Sequence, residues 1–263
     1  MYARNGTMIL LLRLGRYFFA VSMGAFGVQY LIFVHRATDL ANIPPYTVAR
    51  VVPAYLIGAG LMIAAVSIVS GFKAALSVRL LGAALLLDFL VFHAARILAN
   101  LHSGNIRTRG FETLAMAGAA FVLGATFSAE SSGVWSEPID ATANFGRLLV
   151  AVSLAIFGIQ HFIGTNFIAS LIPAWMPGRL FLAYFTGTAF VAAALSFATG
   201  KLTRLAGILL ALMFLIWVAM LHAPLVAHSL HNGNLWASMF VALNMAAIGL
   251  IIAEAVSVRV VRG

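Results

Sequence analysis

Apolar runs long enough to cross a membrane recur along the whole chain, separated by short polar or glycine-containing segments. A helix needs roughly 20 apolar residues to cross the hydrocarbon core of a bilayer. The pattern contains eight such runs, and it therefore predicts an all-α integral membrane protein with eight transmembrane helices. The predicted spans are 15–35, 51–71, 76–99, 109–128, 145–168, 180–199, 203–227 and 234–256.

The two halves of the chain repeat one another. Segment 15–30 begins with Gly-Arg and ends with FGVQY, and segment 146–161 begins with Gly-Arg and ends with FGIQH. An HSGNI turn at 102–106 is matched by HNGNL at 231–235. We therefore expect two four-helix repeats, which are parallel because each has an even number of spans. The predicted units are a first repeat at 1–128, an acidic cytoplasmic linker at 129–143 and a second repeat at 144–263.

The positions of lysine and arginine predict the orientation. With the N-terminus inside, ten of these residues lie on the inner side and six on the outer side. Because basic residues are enriched in cytoplasmic loops, the count favours both termini inside. We expect the protein in a bacterial inner (cytoplasmic) membrane, with the lipid bilayer as its first partner.

The composition agrees with this class and excludes several others. The 263 residues are 63% hydrophobic and 9% charged, whereas soluble domains carry about 25% charged residues. The net charge of +9 comes from basic residues at the ends of apolar runs and forms no patch for nucleic acid. The absence of cysteine excludes disulfides, thiolate metal sites and iron–sulfur clusters in this chain.

The second half also carries a series of short motifs spread along its length. They are Gly146-Arg147, FGIQHF at 157–162, IPAWMPG at 172–178, AYFTG at 183–187, LHAP at 221–224 and HNGN at 231–234. Together they resemble the DoxX-like family of integral membrane proteins. The resemblance implies a four-helix membrane module. It also implies a similarity to membrane subunits of quinone-linked oxidoreductases, such as thiosulfate:quinone oxidoreductase.

The first half departs from these motifs at two positions. Tyr30 replaces the histidine found at 161, and Ile97 is aligned with His222. By the same alignment, Met213 is the counterpart of Asp88. We therefore expect a histidine-based site only in the second half.

Polar residues inside the predicted spans are the candidate ligand-binding residues, because ionisable groups in hydrocarbon are costly. At about 1.5 Å per residue, His93 lies about 21 Å from Arg79, and His222 about 27 Å from Arg204. These depths place the polar residues in the outer half of the bilayer. The candidates are Gln29, Tyr30, His93, Arg96, Gln160, His161 and His222.

His161 and His222 come from different helices and have three interpretations, one of which is the binding of a lipophilic ligand. Two such histidines are able to ligate haem or a metal ion. The alternative, which we favour over haem, is that each donates a hydrogen bond to a carbonyl on a neighbouring helix. No metal site is predicted, and a quinone is the ligand that the resemblance implies.

Three charged residues of the first half stand out. Arg96 and Glu112 lie at one level of a predicted antiparallel hairpin, so we expect a structural ion pair there, with an outer binding site as the alternative. Asp88 lies mid-span, about 140° around the helix from His93 at 100° per residue. No cationic partner is evident for it. It is therefore a candidate proton-active group, or else forms a hydrogen bond to Ser22 or another neighbouring helix.

Three functions remain open. The chain is a membrane subunit or partner in quinone-linked electron transfer, an accessory scaffold subunit of a larger membrane complex, or a protein that binds a lipid alone. The sequence contains no nucleophile–base pair, phosphate loop or carboxylate metal cage, and it leaves open whether the chain is an enzyme.

Overall fold

The computed structural model describes residues 13–33 and 48–262, and these residues fold almost entirely into helices. Arg4 and Arg36, which were counted for the orientation, lie outside the described residues. The helices are α1 (Leu14–Phe33), α2 (Val48–Ser70), α3 (Ala74–Asp88), α4 (Ala94–Ala99), α5 (Gly104–Ser132), α6 (Glu137–Ile163), α7 (Thr165–Leu171), α8 (Arg179–Thr199), α9 (Thr203–Trp217), α10 (Ala223–His228) and α11 (Gly233–Arg262). The π-helical turns Phe89–His93 and Val218–His222 join α3 to α4 and α9 to α10.

Within the described residues, seven helical segments are long and apolar enough to cross a membrane. The predicted all-α class is therefore confirmed, and the seven apolar helices are consistent with the predicted multi-pass membrane protein. Helix α1 has 20 residues, but it contains Arg16 and Gln29 and is not among the seven. The eighth span therefore stays a prediction.

Helices α5 and α6 are longer than the predicted spans. Helix α5 begins five residues before the predicted start at 109, because the hydroxyl of Ser103 caps it by accepting a hydrogen bond from the backbone N–H of Ile106 (3.4 Å). It continues to Gly133, whose left-handed conformation (φ 76°) ends it. Only residues 133–136 separate α5 from α6, so most of the segment predicted as a linker is helical.

Helices α5 and α11 form the centre of the bundle. They contact one another; α5 also packs on α3 and α6, and α11 also packs on α1 and α9. These two helices contain the most buried of the candidate spans. Since lipid provides no hydrophobic driving force between helices, their association depends on close packing of small residues.

Glycines permit the closest helix contacts. A Cβ added to Gly118 of α5 would overlap the carbonyl oxygen of Gly146 in α6, and the reverse substitution would overlap the carbonyl of Gly118. Gly207 of α9 and Gly249 of α11 form the same kind of contact. At these crossings the backbones touch directly, so the helices have no room for any larger residue.

The same turn geometry occurs at matching places in the two halves. The turn after α2 contains Gly71 (φ 74°) and Lys73 (φ 47°), and the turn after α8 contains Gly200 (φ 75°) and Leu202 (φ 55°). Left-handed conformations are uncommon for residues other than glycine. Each of these turns is followed by a helix that is interrupted by one of the two π-helical turns.

The glycine crossing predicts a stability difference between two substitutions. Gly118→Ala should lower the free energy of unfolding by about 1–3 kcal/mol, because the new methyl group meets backbone that cannot move aside. Gly60→Ala is the matched control, since nothing lies within 4 Å of its added Cβ. The midpoints of thermal unfolding in detergent, followed by tryptophan fluorescence, compare the two. Equal midpoints would contradict the crossing.

Candidate functional site

The π-helical turn between α3 and α4 brings Asp88 and His93 together. The distance from His93 Nε2 to Asp88 Oδ2 is 3.3 Å. The prediction that Asp88 points away from His93 and has no partner is therefore wrong. It assumed 100° per residue, whereas a π-helical turn forms i to i+5 hydrogen bonds and brings such residues onto one side. The Asp88 side chain is 43% exposed, so the pair is open to the outside of the bundle.

Two further polar side chains lie near this pair. The hydroxyl of Thr113 on α5 is 3.4 Å from His93 Nε2. The phenol of Tyr30 on α1 interacts electrostatically with Asp88. Ser22 does not bond to Asp88, because its hydroxyl donates to the carbonyl of Phe18 in its own helix (2.9 Å). We call Asp88, His93, Thr113 and Tyr30 the Asp88–His93 cluster.

The predicted ion pair between Arg96 and Glu112 is not among the ion pairs of the described residues. Arg96 is exposed, and the Arg that interacts electrostatically with the half-buried Glu112 is Arg109, one turn earlier in α5. The π-helical turn changes which side of α4 faces α5. Ile97 faces α5 instead of Arg96, since its Cδ1 lies 2.8 Å from where a Cβ on Gly110 would be.

Gln29 and Gln160 make similar contacts in the two halves. Gln29 Nε2 on α1 donates to the carbonyl of Gly233 at the start of α11 (3.4 Å). The hydroxyl of Thr108, near the start of α5, donates to Gln160 Oε1 on α6 (2.8 Å). Gln29 therefore connects α1 to the start of α11, and Gln160 connects α6 to the start of α5. Gln160 Nε2 is buried and has no hydrogen-bond partner among the described residues.

The histidines of the second half have different surroundings from those predicted. His161 Nδ1 lies 2.8 Å from the carbonyl of Phe157 in its own helix, so its bond is not to a neighbouring helix. The edge of the ring packs on Phe190, with 5.1 Å between centroids. His222 is half-buried, and its imidazole has no hydrogen-bond partner in the described part of the chain. No group of three potential metal ligands is found in the described ranges.

The π-helical turns also correct the alignment of the two halves. They end at His93 and His222, whose separation along the chain equals that of His102 and His231. Under the predicted duplication, this separation pairs His222 with His93 instead of Ile97. The residues directly before the turns are Asp88 and Trp217, so the same pairing matches Asp88 with Trp217 instead of Met213. A histidine occurs at this position in both halves, but only the first half has a carboxylate beside it.

At the opposite end of the bundle, sequence reasoning missed a buried ion network. Arg16 on α1 donates from Nε to Glu254 Oε2 on α11 (3.0 Å) and from Nη1 to Glu130 Oε2 on α5 (2.7 Å). Arg13 Nη2 also donates to Glu130 (2.8 Å). Glu254 is fully buried, and Arg16 Cζ lies 4.6 Å from the ring centroid of Phe127. The signal was available: Glu254 is the acidic residue that ends the long uncharged stretch from Leu205.

Comparisons with protein-family models, with curated proteins and with solved structures find no match for this chain. The fold and the two polar clusters are therefore the basis on which a function is argued.

The ion network predicts a large loss of stability on removal of one charge. Glu254→Gln should destabilise the protein by about 3–5 kcal/mol, because the buried guanidinium of Arg16 loses one of its two carboxylate partners. Glu137→Gln makes the same chemical change at an exposed position and should have little effect. Denaturant unfolding in detergent micelles measures both variants. A loss of similar size in the two would show that the network contributes nothing specific.

Proposed function

We propose that the protein binds the polar head of a lipophilic molecule at the Asp88–His93 cluster, in the outer half of the bilayer. The observation that carries the proposal is the contact between Asp88 and His93 in an apolar helix, with the carboxylate partly exposed. Ionisable groups at such depth are costly, and those that persist commonly serve a ligand or a proton path. A quinone is the ligand class that the DoxX-like resemblance implies.

The chemistry of the cluster suits a quinone head. An imidazole donates a hydrogen bond to a carbonyl oxygen, and a neighbouring carboxylate stabilises the imidazolium when it is charged. The half-exposed Asp88 leaves one side of the pair open, so the apolar tail of the ligand remains in the surrounding hydrocarbon. Thr113 supplies a further hydroxyl group 3.4 Å from the imidazole, and the Tyr30 phenol interacts electrostatically with Asp88.

The proposed role is that of a membrane subunit or partner in a quinone-linked redox system. The chain has no cysteine for iron–sulfur ligands, so the proposal assigns that kind of electron carrier to another chain. The chain would bind the lipophilic substrate and bring a proton-accepting pair beside it.

The proposed architecture is that of two parallel four-helix repeats, eight spans in all, with both termini on the inner side of a bacterial inner membrane. Support comes from α1, which contacts α2 and α11 as a long helix of the bundle. The matching left-handed turns and π-helical turns support the duplication. The excess of basic residues on the inner side supports the orientation.

The proposal predicts that binding of a quinone depends on His93. His93→Leu should weaken the affinity for a short-chain quinone at least about tenfold, because a charge-assisted hydrogen bond to the carbonyl is lost. Asp88→Asn should also weaken binding, through loss of the carboxylate that supports the imidazolium. Quenching of tryptophan fluorescence by the quinone, with the protein in lipid nanodiscs, gives the affinity.

Two control variants define the outcome. His102→Leu changes an exposed histidine in the turn before α5 and should leave the affinity unchanged. His161→Leu tests the second half. If this variant abolishes binding while His93→Leu does not, the Asp88–His93 cluster is not the site. If no quinone binds to the unaltered protein and it purifies in mild detergent only with other membrane subunits, the accessory scaffold function replaces this proposal.

A further inference from the structure

A third polar cluster lies where α5 ends and α6 begins, close to the end of α11. It surrounds an open cleft at the surface of the bundle. The polar lining consists of Asp140, Asn144, Arg147 and Arg259, and Trp135 forms part of the wall. The remaining lining is apolar and includes valine, isoleucine and alanine side chains of α5, α6 and α11. The cleft therefore combines two guanidinium groups with a hydrophobic wall.

The single carboxylate of the cleft is already occupied. Asp140 Oδ1 lies 3.0 Å from Arg259 Nη1 and accepts from Trp135 Nε1 (3.2 Å). Asp140 Oδ2 accepts from Arg259 Nη2 (3.1 Å) and from Asn144 Nδ2 (3.0 Å). A carboxylate has about four acceptor positions, so these four contacts saturate it. Asp140 thus neutralises Arg259 and has no free acceptor for Arg147.

Arg147 is left without a carboxylate partner in the described part of the chain. Its Nη2 donates to Asn144 Oδ1 (3.1 Å), which is a neutral acceptor. Its Nε is buried and has no hydrogen-bond partner among the described residues. The guanidinium lies against the turn at Gly200, where Nη1 is 2.9 Å from the position of an added Cβ. The cleft therefore has a net positive charge and a buried donor that is not used.

In the first half of the chain, the corresponding arginine has carboxylate partners. Arg16, the counterpart of Arg147, donates from Nε to Glu254. When the two halves are paired so that His102 matches His231, Glu254 corresponds to Ala125, and Glu130 corresponds to Arg259. Neither carboxylate therefore has an equivalent around Arg147. This comparison rests on the proposed duplication, whereas the unpaired guanidinium does not.

We propose that the cleft binds an anionic phosphate group, which takes the place that the two glutamates occupy around Arg16. Guanidinium groups donate paired hydrogen bonds that match phosphate oxygens. The cleft lies beside the start of α6 and the end of α11, where the predicted spans would meet lipid head groups, and its apolar wall suits an acyl chain. An anionic phospholipid and free phosphate share this chemistry, and the test distinguishes them.

The experiment measures anion binding to the full chain, purified in a zwitterionic detergent, by native mass spectrometry and calorimetry. One arm titrates phosphatidylglycerol, a second phosphatidylcholine and a third inorganic phosphate. Arg147→Gln should weaken anion binding at least about tenfold, as expected for loss of charge-assisted hydrogen bonds. Arg147→Lys keeps the charge but not the paired donors, and should show an intermediate loss. Lys201→Gln removes a charge from the exposed turn beside Arg147 and is the matched control.

Each result has a defined meaning. Preference for phosphatidylglycerol over phosphatidylcholine, lost in Arg147→Gln and kept in Lys201→Gln, supports a lipid head group as the ligand. Binding of inorganic phosphate with the same dependence on Arg147 supports the site with free phosphate as its source. Absence of binding in all three arms, or equal losses in Arg147→Gln and Lys201→Gln, would overturn the proposal. None of these results depends on quinone binding, because the cleft and the Asp88–His93 cluster have no residue in common.

Discussion

The ion pair between Arg16 and Glu254 is the interaction on which the centre of the bundle depends. A guanidinium or carboxylate without a partner in the protein interior is costly, so Arg16 must lie level with the carboxylates of both α11 and α5. This requirement fixes the register of three helices at once. The glycine crossing of Gly118 with Gly146 then fixes how closely α6 approaches α5. Polar pairing therefore decides where the helices meet, and small residues decide how near they come.

Seven of the eight predicted spans are long apolar helices in the structure, because the length of an apolar run is a local property. The prediction missed the ends of α5 and α6, since hydropathy marks where apolar residues stop and not where backbone hydrogen bonds stop. Helix α5 includes Arg107 and Glu130 at its polar ends because the Ser103 cap and the left-handed Gly133 define its limits. Tertiary contacts such as the glycine crossings could not be predicted from the pattern of apolar runs alone.

The candidate site could be predicted only in part, for a specific geometric reason. His93 and Tyr30 were found from their polarity within apolar runs. The pairing of Asp88 with His93 was missed, because a uniform helical period places them on different faces and a π-helical turn has no clear signature in sequence. The same turn removes Arg96 from the side that faces α5. One local irregularity thus accounts for both errors in this region.

Arg16 and Arg147 follow the same Gly-Arg motif but have opposite electrostatic surroundings. Two carboxylates contact Arg16, and its charge is neutralised within the protein. Arg147 lies beside Arg259, and the one nearby carboxylate is saturated by other donors. If the two halves derive from one module, one arginine has become part of the packing. Its copy lines a cleft and keeps one buried donor, Nε, without a hydrogen-bond partner among the described residues. The energetic cost of a cation at that depth then has to be offset from outside the chain, and an anion at the membrane surface is the group that offsets it.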